Sequence, residues 1–187
     1  GGSVYGLAAA DAVASALGAR GTGFELFPAE GVPVSPIVPA ACLYDLANGG
    51  EKTWGRSPPY HRLGLDALED AQRGAPVQLG RVGAGHGALA GTLPGAVGSA
   101  SWRGEDGVTV AALAAVNCFG SVTLPGQDDV YWAWPLEVGA EFGGARPDPA
   151  RRFDLDDWGQ AKINPGARTQ TTLAVVATDA DLSRDET

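Results

Sequence analysis

Thr169-Gln170-Thr171-Thr172-Leu173-Ala174-Val175-Val176 is the stretch on which the reading of the fold turns. From Leu173 to Ala177 every residue is apolar, so the segment reads as a strand buried on both faces. Such a strand must lie between two packed layers. Val108–Val116 has the same character, and Ala96–Arg103 is a further short strand before it. Two helices precede these strands in sequence. Leu7, Ala10, Val13, Ala14 and Leu17 recur at helical spacing, with Gly18 and Gly21 as stops. Pro58-Pro59 open a second helix, in which Leu63, Ala67, Leu68 and Ala71 are expected to face inward and Arg62, Asp66, Glu69 and Arg73 to face water. Pro36 to Leu46 reads as extended. Helices combined with doubly buried strands predict a layered α/β (α+β) sandwich.

Working outward, the 187 residues fit the usual span of roughly 100–200 per domain, so 1–187 is read as one domain. A hydrophobic share of 44% against 19% charged residues supports a core rather than a disordered chain. The 28 glycines and 13 prolines follow no strict repeat, which implies tight turns and close backbone approaches. A net charge of −9 repels phosphate backbones and argues against a nucleic-acid partner. No apolar run reaches the roughly 18 residues of a membrane span. Cys42 and Cys118 lie in apolar stretches and are expected to be buried free thiols, which points to a cytoplasmic home. Methionine is absent, the chain opens on Gly1-Gly2-Ser3, and Ser183-Arg184-Asp185-Glu186 has the form of a capping box that starts a helix. The chain is therefore expected to be part of a longer protein.

Several chemistries are poorly supported. Gly83-x-Gly85-x-Gly87 has the wrong spacing for a dinucleotide fingerprint, so no cofactor is expected and the loop reads as a tight, closely approached turn. His61, His86 and two distant cysteines show no metal-ligand spacing, and no metal is expected. No Gly-x-Ser-x-Gly elbow is present. Ser99 and Ser101 alternate on a strand and read as packing residues. A different nucleophile remains. Residues 127–170 form a long, proline- and glycine-containing stretch with a charged cluster from Arg151 to Asp157, leading straight into the apolar strand. A threonine at that junction can attack the carbonyl before it and cut the chain. It then owns a free α-amine, with an ordinary pKa of about 7.7–8.0, suited to act as base for its own hydroxyl. Thr171 has that position. Threonine is also a common strand-starting residue, and on these residues alone that bland reading stands beside the catalytic one.

Six stretches, in order, give the chain a resemblance to a known family. They are Gly1-Gly2-Ser3-Val4-Tyr5-Gly6-Leu7, Pro36-Ile37-Val38-Pro39-Ala40-Ala41, Val82-Gly83-Ala84-Gly85, Gly98-Ser99-Ala100-Ser101, Ala115-Val116-Asn117, and Thr171-Thr172-Leu173-Ala174-Val175-Val176-Ala177-Thr178-Asp179-Ala180. With them the chain resembles the L-aminopeptidase/D-esterase family of N-terminal nucleophile hydrolases, which also holds β-peptidyl aminopeptidases and nylon-oligomer hydrolases. The resemblance implies a four-layer αββα fold and one internal cleavage between Gln170 and Thr171. Residues 1–170 would then be the tail of a large chain and 171–187 the start of a small one. It implies that Thr171 is the nucleophile, that Asn117 donates to the oxyanion, and that Tyr5 stands near the active site. Apart from the resemblance, Asn117 reads as a strand-end turn residue and Tyr5 as core.

Three departures accompany it. Gln170 stands where the family often has Asn or Gly. Thr92 stands where the nylon-hydrolase branch has a lysine. The acidic pair that orients the nucleophile falls beyond Thr187, so the fragment alone is expected to be inactive. The implied substrate is a small peptide, amide or ester, and the implied assembly a homo-oligomer, for which Tyr131-Trp132-Ala133-Trp134 is a candidate interface. Two other readings stay open: an ornithine acetyltransferase-like acyltransferase, and a non-catalytic binding module of the same fold.

Overall fold

The computed structural model describes all residues except Phe153, Leu155, 163–169 and 184–187. The capping box at Ser183–Glu186 therefore lies largely outside the described residues. Helices and sheets are both present, which is the α+β class expected from the sequence. They segregate into two compact units, Gly1–Gln78 and Leu79–Thr187. Among the described residues no helix is long and apolar enough to cross a membrane.

The first unit is built on two helices. A 3-10 turn at Ser3–Leu7 runs into α1, Ala8–Ala19, and α2 spans Tyr60–Gln72. Gly21, with φ 69°, follows the end of α1 as a left-handed stop, as its place in the sequence suggests. The faces of α2 differ from expectation. Leu63 is 44% exposed, and Ala67 and Ala71 are exposed as well; the covered line is Gly64, Leu65 and Leu68. The cause is Gly64. A Cβ there would stand 2.5 Å from the carbonyl oxygen of Ala9, so the two helix backbones meet at that point and the contact line follows the glycine rather than the leucine periodicity. Pro36–Leu46 contains no strand; Ser35 makes an isolated bridge to Phe24, and Leu43 is fully buried. The main-chain carbonyl of Leu43 accepts the Ser3 N–H at 2.9 Å, and Asp45 Oδ1 accepts the Gly2 N–H at 2.6 Å. Gly2, φ 84°, lies where a Cβ would meet the Tyr60 ring at 2.2 Å. The glycine-rich opening is thus packed against Asp45 and Tyr60.

The second unit holds the strands. β1, Leu89–Ala90, pairs with β2, Leu93–Pro94. β3, Val97–Arg103, and β4, Thr109–Ala115, form an antiparallel hairpin whose other edge pairs with β7, Leu173–Thr178, in the order β3-β4-β7. β5, Thr123–Leu124, pairs with β6, Gln127–Tyr131. β6 falls inside the stretch read from sequence as loop; its Asp128-Asp129 pair hides the pattern, and only Val130 is buried. Buried side chains of this unit include Ala88, Ala90, Ala115, Asn117, Thr123, Leu124, Val130 and Ala161.

The expectation that Leu173–Ala177 is buried on both faces is not met. Val175 and Val176, which point to opposite faces, are each 67% exposed. Their apolarity marks a good strand former, and apolar residues do not by themselves say what covers a face. The two cysteines are free and only partly buried, not core thiols; Cys118 Sγ donates to the Gly120 carbonyl at 3.1 Å.

Candidate functional site

The site grows from the register of the β4–β7 ladder. Ala115 pairs with Leu173 in an antiparallel ladder, so two residues further along, Asn117 comes opposite Thr171. The geometry follows that register: the Thr171 N–H donates to the Asn117 main-chain carbonyl at 3.0 Å. Thr171 is half-buried and Gln170 exposed. The Thr171 hydroxyl donates to the Gln170 carbonyl oxygen at 2.8 Å, which folds the hydroxyl back over the peptide bond in front of it.

Asn117 itself is fully buried. Its Oδ1 accepts two hydrogen bonds, from the Leu89 N–H at 3.1 Å and from Lys162 Nζ at 3.2 Å. Two donors on one side of the carboxamide identify that side as the oxygen, and so place the Nδ2 group on the other arm. A buried amide fastened this way has little freedom to rotate. Lys162 Nζ also lies 3.4 Å from the Asn117 main-chain carbonyl, so one ammonium spans both oxygens of the asparagine.

Lys162 reaches this place because its own segment is tied down. Its N–H donates to the Phe119 carbonyl at 2.9 Å, and Ala161 before it is buried. Gln160 receives the Thr92 N–H at 2.7 Å on its main-chain oxygen and donates its side-chain amide to Asp128 at 3.0 Å. The Gly91 N–H bonds the Cys118 carbonyl at 3.0 Å. A Cβ on Gly91, whose φ is 61°, would stand 2.1 Å from the Gln160 carbonyl oxygen, so only glycine lets the β1–β2 turn approach so closely. Partial burial pushes the Lys162 ammonium below its ordinary pKa, with the Cys118 thiol pulling the other way.

Tyr5 belongs to the first unit. It is 47% exposed rather than core, and its ring meets Trp54 edge-on at 5.9 Å, while Trp54 meets Tyr60 at 6.0 Å. Burial, and then the Asp45 charge, push the Tyr60 phenol up. In the second unit the Gly83–Gly85 loop is a 3-10 turn, and a Cβ on Gly85 would stand 2.6 Å from the Ala96 backbone. It is the close-approach turn read from the sequence. His86 is exposed, its Nδ1 3.2 Å from the Arg81 carbonyl, and His61 is exposed at the start of α2.

Within this unit the structure brings Asn117, Gln170 and Thr171 together. Sequence reasoning missed Lys162, a single lysine in a polar stretch with no periodic neighbour to mark it. Thr92, noted from the sequence as standing in place of a lysine, instead binds Gln160, also through its hydroxyl, and so helps fasten the segment that carries Lys162.

Residues 1–187 match the profile of peptidase family S58. An uncharacterized aminopeptidase of Mycobacterium leprae is 38% identical over 191 residues, covering 98% of this chain and 48% of that protein. Uncharacterized aminopeptidases of Mycobacterium bovis and Mycobacterium tuberculosis are 39% identical over 183 residues, again covering 98% of this chain and 49% of theirs. The chain thus spans about half the length of the curated relatives it matches. With the family profile matched from end to end, and relatives near two-fifths identical along almost all of it, the chain belongs to peptidase family S58.

Proposed function

We propose that the protein is an aminopeptidase of the N-terminal nucleophile kind, matured by cleavage of its own Gln170–Thr171 bond. The observation that carries this reading is the pairing of Thr171 with Asn117 together with the bond from the Thr171 hydroxyl to the Gln170 carbonyl. In maturation the Thr171 Oγ1 adds to the Gln170 carbonyl carbon and the C–N bond breaks. The Gln170 acyl group passes to the hydroxyl as an ester, and the Thr171 nitrogen leaves as an amine that takes up the hydroxyl proton. Water then hydrolyses the ester, freeing the Gln170 carboxylate and the Thr171 hydroxyl.

The new α-amine is the base for turnover. It accepts the Thr171 hydroxyl proton as Oγ1 attacks a substrate carbonyl, and it returns a proton to the departing amine. An acyl-enzyme on Thr171 forms and is hydrolysed by water. Asn117 supplies the N–H for the oxyanion in both reactions, and a held donor of this kind contributes roughly 2.7–4 kcal/mol. Tyr5 is assigned to substrate or intermediate through its phenol. The substrate class is a small peptide, amide or ester with a free amino terminus. The whole protein is further proposed to complete a four-layer αββα fold, to assemble as a homo-oligomer and to work in the cytoplasm. Mass spectrometry of the full-length product tests the central step: two chains, the smaller starting at Thr171, are expected, and a single chain in the Thr171→Ala variant.

A further inference from the structure

Lys162 Nζ bonds both oxygens of Asn117, and the proposed chemistry at Thr171 does not yet use it. Resting on that reading, we propose that Lys162 is a positioning residue for acyl transfer at Thr171: its ammonium locks the Asn117 carboxamide beside the nucleophile, with Oδ1 turned away from the oxyanion.

Three observations carry this. First, the Asn117 Oδ1 has two donors, Leu89 N–H and Lys162 Nζ, and the second is charged. A charge-assisted bond is roughly twice as strong as a neutral one, and it also draws density towards Oδ1, which makes the Nδ2 hydrogens better donors. Second, the Asn117 main-chain carbonyl takes Lys162 Nζ at 3.4 Å and the Thr171 N–H at 3.0 Å. Lys162 Nζ and the Thr171 N–H therefore share one acceptor, which sets the ammonium beside the nucleophile's own backbone. Third, Lys162 is itself fixed, through Phe119 at its N–H and through Gly91, Thr92 and Asp128 around Gln160, so the ammonium is delivered by a braced segment. Because both nitrogens bond one oxygen, they are no more than about 6.4 Å apart, close enough for the cation to lower the pKa of the Thr171 α-amine once cleavage has made it.

The charge also supplies a readout that a purely structural role would not move. Burial lowers the Lys162 pKa, and the Cys118 thiol is the titratable neighbour that opposes the shift. Phe119 and Asn117, which bond it, do not titrate. Self-cleavage of the wild type is expected to slow as pH rises through the lowered Lys162 pKa, because the ammonium becomes a neutral amine. Arginine at the same place stays charged, so the slowing disappears.

The experiment follows self-cleavage of the full-length protein by intact mass, from pH 6 to 10, in wild type, Lys162→Met, Lys162→Arg and Thr171→Ala, with thermal unfolding beside it. The expected result is a cut wild type, an uncut Thr171→Ala, and a Lys162→Met that still unfolds cooperatively but cuts about 10- to 100-fold more slowly. Lys162→Arg is expected to regain most of the rate and to lose the alkaline decline. A wild-type rate and pH profile in folded Lys162→Met overturns the proposal while leaving Thr171 as nucleophile. A wild type that stays whole, like Thr171→Ala, overturns the reading of Thr171 and this proposal with it. Should Lys162→Met fail to fold, the alkaline decline in wild type against Lys162→Arg decides alone, and an identical decline in both overturns the proposal.

Discussion

The main-chain N–H of Thr171 donates to the main-chain carbonyl of Asn117 at 3.0 Å, two residues beyond the last ladder pair that joins β4 to β7. That single relationship places the candidate nucleophile beside the candidate oxyanion donor by strand register. The separation of the two roles of Asn117 is testable. Asn117→Asp keeps an acceptor for the Leu89 N–H and for Lys162, and removes the Nδ2 donor. It is expected to fold with a wild-type midpoint and to process about 10²–10³ times more slowly. Asn117→Ala additionally leaves the Leu89 N–H without that acceptor and is expected to lose about 1–3 kcal/mol of stability, read by denaturant unfolding. Equal processing in wild type and Asn117→Asp would contradict the oxyanion role.

Gly91 tests the brace around Lys162 from a distance. Alanine there would set a Cβ 2.1 Å from the Gln160 carbonyl and would be strained by the φ of 61°. Gly91→Ala is expected to slow self-cleavage in the same sense as Lys162→Met, and the two together to be less than additive. Full additivity of the two effects on rate would show that Gly91 does not act through Lys162.

Gly64 gives a stability prediction whose sign is decided by packing. In an open helix, Gly→Ala stabilises by about 1 kcal/mol through propensity. Here the new methyl would stand 2.5 Å from the Ala9 carbonyl and 2.7 Å from its Cα, both backbone atoms that move only if α1 and α2 separate. Gly64→Ala is expected to destabilise by about 1–3 kcal/mol despite the better propensity. A raised unfolding midpoint would show that the helices are not held at this contact.

Glu137 gives a pH prediction. Its side chain is shielded from solvent, its Oε1 accepts the N–H groups of Phe142 and Gly144, each at 2.9 Å, and its Oε2 takes the Arg146 guanidinium. Arg146 first, and then those backbone donors, hold the carboxyl below its ordinary value of 4.5. A depressed folded-state pKa stabilises the closed loop above 4.5, and that stabilisation is lost as pH falls towards the folded value. Amide protection across residues 137–146, taken relative to intrinsic exchange at each pH, is expected to fall below about pH 4.5. In Glu137→Gln exchange is expected to be faster at pH 7, with little further acid dependence. Unchanged protection in that variant would remove Glu137 as the clasp of the loop.

Much of this architecture is legible in the sequence, and the limits have physical causes. The strands read as Ala96–Arg103, Val108–Val116 and Leu173–Ala177 appear as Val97–Arg103, Thr109–Ala115 and Leu173–Thr178, because runs of β-branched and small apolar residues bounded by turns are strong local signals. Both helices stand where periodicity and the Pro58-Pro59 start place them. Which face of α2 is covered was not legible, since a glycine carries no hydrophobic signal yet sets the contact. The exposure of Val175 and Val176 was not legible either, because apolarity reports strand preference before it reports cover. Asn117 and Thr171 were legible as candidates through motifs. Lys162 was not, because its partner is 45 residues away and the meeting depends on how two loops are braced.

The most direct measurement is the intact mass of the purified full-length protein, beside that of its Thr171→Ala variant. Two chains in the wild type, the smaller beginning at Thr171, with one chain in the variant, is the expected result. One uncut chain in the wild type under all conditions, or two chains in Thr171→Ala, would contradict Thr171 as the residue that cuts and then catalyses.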